Sequence, residues 1–251
     1  MPLYRDEGVV LRAVKLGEAD RIITLLTRGH GKIRAVAKGV RRVRSRFGGR
    51  LEPFMRIDVL IAEGRSLDVV SQAESVAAYA RNISADYDAY TAANVIVETA
   101  DRLAGEEHER LAGQYRLLVG ALNALAKHAH APADIASSYV LRALALAGWE
   151  PRLYACVVCG ERIVDAAEVE RRGAFLSVPA GGLMCARDHT PEAKRVGHAE
   201  LTRLRALLDG DWETLDGSDP TDGAARGAER LVEQWAEYYL ERPLRSLRLL
   251  D

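Results

Sequence analysis

The hydrophobic periodicity of the chain changes once, near residue 78, and that change fixes the class of fold open to it. Before it, short β-branched runs alternate with a period of two between Gly and charged turns; after it, stretches rich in Ala, Leu and Glu carry apolar residues at helical spacing almost to the end. Five strands are expected at roughly 7–14, 20–28, 32–38, 53–62 and 67–74. In the third, Ile33, Ala35 and Ala37 share one face while Arg34, Val36 and Lys38 share the other, so two cations point the same way. In the fourth, Met55, Ile57, Val59 and Ile61 form the buried set, with Glu52, Arg56 and Asp58 toward water. Gly29-His30-Gly31 and Glu63-Gly64-Arg65 supply turns. A small sheet of this kind must close or be covered to protect its edges, which suits a five-stranded barrel of the oligonucleotide-binding (OB) type.

Helices are expected from near Ser84 or Asp86 to Gly105, with Tyr90, Val95, Ile96 and Leu103 turned inward, and from about Glu107 to His128. Pro132-Ala133-Asp134 opens a third with proline and a carboxylate in its first turn, and Gly148 ends it. Two more fall at about 197–209 and 222–240, the last carrying Trp235, Tyr238 and Tyr239. The segment at about 149–190 is punctuated by Gly and poor in helical signal. The expected architecture is therefore α+β and multidomain. Residues 1–78 form the OB-type β-barrel, and residues 79–251 form an all-α domain with a zinc-ribbon-like insert at about 149–190.

The net charge of -1 conceals an asymmetry. Residues 1–64 hold 14 Lys/Arg against 7 Asp/Glu, so the remainder is net acidic. From Arg28 to Arg50 there are nine basic residues and no acid. Nine uncompensated cations repel one another unless a polyanion is near, because a protein surface ordinarily mixes signs. Arginine dominates the run, and its planar fork suits bidentate contact with phosphate. Arg34, Lys38, Arg41, Arg42, Arg44, Arg46 and Arg50 are the candidate phosphate contacts. Aromatic residues are sparse here, with Tyr4, Phe47 and Phe54 too few for a row of stacking platforms, so sequence-independent binding to single strands is expected. The competing reading is a solvated charged hairpin.

Cys156-Val157-Val158-Cys159-Gly160 is followed by Cys185-Ala186-Arg187-Asp188-His189, two short ligand pairs in the format of a structural zinc site. Cys156, Cys159, Cys185 and His189 are the candidate ligands for one zinc ion. Asp188, a water or the more remote His198 stand as substitutes for His189, because the second spacing is looser than the first. Three buried thiols are the plain alternative. A thioredoxin-like role lacks the surrounding βαβ unit. A zinc deaminase needs His-x-Glu ahead of the cysteines, whereas His198-Ala199-Glu200 follows them.

No apolar run approaches eighteen residues, and the Met1-Pro2-Leu3-Tyr4-Arg5-Asp6-Glu7 start has no apolar core, so neither a membrane span nor a secretory signal is expected and the cytoplasm is the expected compartment. Walker A, Gly-x-Gly-x-x-Gly and acidic two-metal patterns are missing, so the chain reads as non-catalytic. The readings that compete are a zinc-dependent enzyme acting on nucleic acid and a DNA-binding transcriptional regulator. An open metal position would mark the first, and a basic recognition helix the second.

Several segments, taken in order, resemble the RecO family of bacterial recombination mediators. They are Gly8-Val9-Val10-Leu11, Gly17-Glu18-Ala19-Asp20, Gly31-Lys32 through Ala37-Lys38-Gly39-Val40-Arg41, Leu51-Glu52-Pro53-Phe54, and Leu67 with Gln72-Ala73-Glu74. The likeness continues through Leu144 to Gly148, Leu153, the Cys156–Gly160 knuckle, Phe175 and Gly181-Gly182. The resemblance implies an OB domain and a helical domain, a zinc module in some members, binding of single- and double-stranded DNA, and annealing of complementary strands. It also implies work with RecR in loading RecA where single-strand-binding protein coats a gap, with the helical domain receiving the acidic C-terminal tail of that protein, and hence association with the nucleoid. Lys38 and Arg41 match the family's basic stretch and carry over as DNA contacts. The family's usual second cysteine pair is replaced here by Cys185 and His189. For the acidic tail, Lys194, Arg195, Arg203 and Arg205 offer a candidate pocket.

Overall fold

A computed structural model of the chain describes residues 2–105, 109, 111–244 and 246. Five strands, β1 (Leu3–Leu16), β2 (Asp20–Thr27), β3 (Gly31–Ala37), β4 (Arg56–Ala62) and β5 (Asp68–Ala77), close into a barrel in the order β1-β2-β3-β5-β4. β1 pairs antiparallel with both β2 and β4, and β3 with β5 is the parallel contact, which is the OB topology. Two strand edges differ from expectation. β1 begins at Leu3 because Leu3, Tyr4 and Arg5 pair with Ala62, Ile61 and Leu60, a partner that local periodicity does not reveal. β4 starts at Arg56 because Pro53 brings no N–H and Phe54 takes a left-handed φ of 69°.

Alternation fills the barrel. Val10, Ile23, Leu25, Ala35, Ile57, Val59 and Ile61 point inward and are fully buried. On the outer side Val9, Leu11 and Leu26 belong instead to the core of the helices, so Gly8-Val9-Val10-Leu11 is covered on both faces. Burying a Val or Leu side chain contributes about 1.5–3 kcal/mol, so this short run ties the barrel to the rest of the molecule.

Helices follow as α1 (Tyr79–Ile83), α2 (Tyr87–Leu103), α3 (Ala112–Ala126), α4 (Pro132–Leu146), α5 (Ala166–Arg172), α6 (His198–Asp209), α7 (Trp212–Asp216) and α8 (Gly223–Leu240). The expected start of the second helix near residue 107 lies outside the described residues. The Asp86 carboxylate caps α2 by accepting from Ala89 N at 3.0 Å, as its place before an apolar run suggests. Val95 and Ile96 are buried, but Tyr90 is 43% exposed and sets its ring edge-on to Phe54. α4 lies central among α2, α3, α6 and α8, and Trp235 of α8 is buried with its indole N–H donating to Trp149 O. Between α4 and α6 runs the insert, with β6 (Ala174–Ser177), β7 (Gly182–Cys185) and β8 (Lys194–Val196) in a small antiparallel sheet ordered β7-β6-β8.

Polar contacts fix the barrel against the helices. Tyr115 of α3 donates to Glu7 Oε1 at 2.6 Å, and the Arg56 guanidinium donates to the same oxygen. Lys32 Nζ donates to Asp101 O at 2.9 Å. Gly31, at φ 65°, lies so close to Glu109 O that a side chain there would collide with backbone.

The β2–β3 turn is held by a carboxylate from β1. Asp6 accepts from Gly29 N and His30 N, each at 3.0 Å, and lies 2.7 Å from His30 Nδ1. Burial alone would raise its pKa, but the donors from His30, Thr27 and the backbone outweigh that and hold it below 3.8. D6N should cost about 1–2 kcal/mol near neutral pH in urea unfolding. Because the folded pKa is depressed, the wild-type advantage is full above pH 3.8 and closes as pH falls through the folded value. An advantage that stayed constant as the pH was lowered through the acid range would assign it to shape and not to charge.

Candidate nucleic-acid interface and metal centre

Between β3 and β4 the chain runs from Lys38 to Met55 as a series of turns pinned at both ends. Gly39 N donates to Asp20 Oδ1 at 2.7 Å and Arg41 N to Ala19 O at 2.9 Å, which lays the start of this loop on the β1–β2 turn at one end of the barrel. Phe47 and Leu51 are 1% exposed and plug the barrel core, so the residues between them and β3 are pushed outward. Lys38, Arg41, Arg42, Arg44, Arg46 and Arg50 are all exposed and form no ion pair among the described residues. Backbone acceptors and a ring position three of them. The Arg41 guanidinium donates to Glu18 O at 2.8 Å, that of Arg50 to Arg46 O at 3.1 Å, and the Arg46 guanidinium lies 4.8 Å from the Phe47 ring centre. These contacts fix the arms of the cations without neutralising them, which is what an anion-binding surface requires.

Arg34 is exposed on the outward face of β3, beside the buried Ile33 and Ala35, and it has a partner of its own. Lys32, from the same acid-free run, is spent on Asp101 at the contact with the helices.

The cysteine segment forms two facing knuckles. Cys156 N donates to Glu161 O at 2.8 Å and Gly160 N to Cys156 O at 3.0 Å, with Gly160 in the left-handed region at φ 75°. β7 delivers Cys185 opposite, where its N–H donates to Cys156 Sγ at 3.4 Å, and a turn after it returns Asp188. Ligand atoms of Cys156, Cys159, Cys185 and Asp188 all lie within 4.8 Å of one another. Cys159 Sγ and Cys185 Sγ are 3.9 Å apart, and Asp188 Oδ2 is 3.2 Å from Cys185 Sγ and 3.8 Å from Cys156 Sγ. A tetrahedron with Zn–S bonds of about 2.3 Å has edges of about 3.8 Å, so the donor set fits a zinc-sized ion in both chemistry and spacing.

His189 is not part of this group. Its ring stacks on Phe175, with centroids 3.8 Å apart and planes 10° from parallel, and Nδ1 sits 3.0 Å from Ala186 O. The fourth group gathered with the three thiols is Asp188, at the same i, i+3 spacing from Cys185 that Cys159 has from Cys156. That repeated spacing is the sequence signal for it, and the preference for imidazole over carboxylate hid it. Burial pushes the Cys156 thiol up, but backbone N–H groups of Cys159, Cys185 and Val158 outweigh it and hold the thiol below its ordinary range. At Cys185, burial and the neighbouring Asp188 carboxylate raise the pKa instead, a cost that a bound dication reverses by taking the thiolate charge.

The expected tail pocket does not form at Arg203 and Arg205. Arg203 is 5% exposed and bound to Asp134 and Ser218, each at 2.6 Å, while Arg205 donates to Leu153 O and Ile163 O. A groove of about 450 Å³ lies elsewhere, walled by Arg116 and Leu117 of α3, Ile135, Tyr139 and Arg142 of α4, and Trp212 of α7. Among the described residues no acid lines it, and the buried Tyr139 hydroxyl has no hydrogen-bond partner.

Comparison with known proteins gives a consistent picture. Residues 1–79 match the family model described as Recombination protein O N terminal, and residues 84–248 match Recombination protein O C terminal. The chain is 67% identical over 251 residues to the DNA repair protein RecO of Bifidobacterium adolescentis, covering all of both chains. It is 44% identical over 252 residues to that of a Nocardioides species, covering 99% of each, and 44% identical over 257 residues to that of Streptomyces coelicolor, covering all of both.

Proposed function

The chain belongs to the RecO family of bacterial DNA repair proteins, and from that membership we propose that it binds single- and double-stranded DNA without sequence preference and anneals complementary strands. With RecR it would load RecA at gaps coated by single-strand-binding protein, acting in the cytoplasm on nucleoid DNA. Residues 1–78 are the DNA-binding unit in this reading, and 79–251 the partner-binding unit with its metal insert. The carrying observation is the exposed, acid-free set Lys38, Arg41, Arg42, Arg44, Arg46 and Arg50 on a loop anchored by Phe47 and Leu51. Arg34 extends this set onto β3.

Two strands approach each other against phosphate repulsion. A cationic surface that holds both backbones while leaving bases free lowers that barrier, and nothing in the step requires bond making by the protein. A non-catalytic role is supported by the four potential donors at the cluster, because a zinc ion held by all four would have no position left for a reacting water. Residues Cys156, Cys159, Cys185 and Asp188 would hold one zinc, which supplies cross-linking of the two knuckles. Glu200 serves as a helix cap by accepting from Gly197 N. The test is the annealing rate of complementary oligonucleotides across a salt titration. The rate enhancement should fade as salt rises, and a salt-indifferent enhancement would contradict the proposal.

For the acidic tail of single-strand-binding protein, the α3–α4–α7 groove is the favoured seat. Arg116 and Arg142 would meet carboxylates, and the apolar wall of Leu117, Ile135 and Trp212 would meet apolar side chains. R116E/R142E should weaken binding of a fluorescent acidic peptide ending in a free carboxylate by at least tenfold, as loss of charge-assisted hydrogen bonds implies. Unchanged anisotropy titrations would move the seat elsewhere.

A further inference from the structure

We propose that Cys159 is an oxidation site for peroxide and that Cys185 resolves it into a reversible disulfide, which takes over the link between the two knuckles. The proposal rests on the zinc reading of the cluster and adds a second, metal-free way of tying the same residues. Its basis is that the three sulfurs are unequal. Cys156 is 1% exposed, and its Sγ accepts from Cys185 N at 3.4 Å. Cys185 is 8% exposed, whereas Cys159 is open to solvent on a knuckle whose tip residue, Val158, is 63% exposed. Cysteine oxidation follows exposure and an electropositive surrounding. Both meet at Cys159, because the Arg187 guanidinium bonds to its sulfur and, at 3.3 Å, to Asp188.

The resolving sulfur is already in place. Cys159 Sγ and Cys185 Sγ are 3.9 Å apart, and disulfide sulfurs lie about 2.0 Å apart, so the exposed knuckle closes by about 2 Å. Cys185 also lines a cavity of about 270 Å³, shared with Ile163, Val169 and Arg172, through which small solutes reach a residue that is otherwise buried. The fourth member of the cluster is a carboxylate, which peroxide leaves unchanged. Once two sulfurs are joined, Cys156 and Asp188 are the donors that remain, and two are too few for a structural zinc site.

The chemistry balances in two steps. The Cys159 thiolate forms a bond to one peroxide oxygen, the O–O bond breaks, and the other oxygen leaves as hydroxide and takes a proton from solvent. The Cys185 thiolate then attacks the Cys159 sulfur. The S–S bond forms, the S–O bond breaks, and the second hydroxide leaves and is protonated in turn. Two thiolates lose two electrons, and one peroxide becomes two waters. A small thiol reverses the bond, so in a reducing compartment the disulfide is transient.

The test treats the zinc-loaded full chain with hydrogen peroxide and follows released zinc with a chromogenic chelator. Remaining thiols are blocked with N-ethylmaleimide, and tryptic peptides are mapped without reduction. Peptide 153–162 should be joined to 173–187 with the blocking label on Cys156, as one zinc per chain is lost. A bond within 153–162, the label on Cys159, or thiols left intact by peroxide overturns the proposal. The variants C185S and C159S read the order of events. In C185S, Cys159 should stop at the sulfenic acid and take up dimedone, whereas in C159S Cys185 should not. Equal uptake at the two positions overturns the assignment of Cys159 as the first site. A chain that binds no zinc at the outset overturns the metal reading instead, and its peptide map still decides the oxidation site.

Discussion

Replacing Arg41, Arg42, Arg44 and Arg46 together by Ala should lower affinity for a single strand between about a hundredfold and a thousandfold at about 0.1 M salt. Each phosphate neutralised on a single strand releases about 0.7 of a counterion, so four contacts account for a slope of about -3 in log affinity against log salt. The variant should therefore lose most of that slope along with the affinity. Its fold should persist, because all four side chains are exposed and the loop is anchored by Phe47, Leu51 and backbone bonds to Ala19 and Asp20. Thermal unfolding within a few degrees of wild type would check that point. A folded variant with the wild-type slope would mean that the phosphates lie elsewhere.

The second large effect concerns the metal. C156S should abolish stoichiometric zinc and loosen the insert, whereas H189A should retain one zinc per chain. Structural zinc contributes about 10–16 kcal/mol of apparent binding free energy in small domains, and here it would tie the exposed Cys159 to the buried Cys156 and Cys185, beside a small apolar set of Leu153, Ile163, Val169, Leu176, Leu183, Met184 and Val196. D188A should lie between these two, holding zinc through three thiolates and a water but releasing it faster to a chelator. Metal analysis with hydrogen exchange across residues 152–196 separates the three. Retention of zinc by C156S, or its loss in H189A, would overturn the assigned donors. The barrel should exchange as in wild type throughout, since its core at Ile23, Leu25 and Ile57 is separate from the cluster.

Much of this was legible in the residues because it is local. The inward set Ile33, Ala35, Ala37 and the set Met55, Ile57, Val59, Ile61 follow from a period of two, and the structure buries every one. The long helices follow from apolar spacing and from capping residues such as Asp86 and Asp222. What escaped has a tertiary cause. Helices α1, α5 and α7 have five to seven residues, too few for a 3.6-residue period to declare itself. Asp134 reads as a favourable first-turn carboxylate, yet it is buried against Arg203, 69 positions away, where each offsets the cost of desolvating the other. The same pairing is why Arg203 lines no pocket. Lys32 looks like one more member of the basic run until Asp101 of α2 is brought beside it. At the cysteine cluster the structure gathers Asp188, three residues after Cys185, with the three thiols, and stacks its neighbour His189 on Phe175 instead.

The most direct measurement is arginine labelling by phenylglyoxal, read peptide by peptide, with and without a saturating single strand. Arg41, Arg42, Arg44, Arg46 and Arg50 are expected to become protected, while the exposed Arg171, Arg172 and Arg187 of the insert keep their labelling. Loop arginines labelled equally in both samples, with protection appearing on the insert or the helices, would contradict the placement of DNA on the barrel loop.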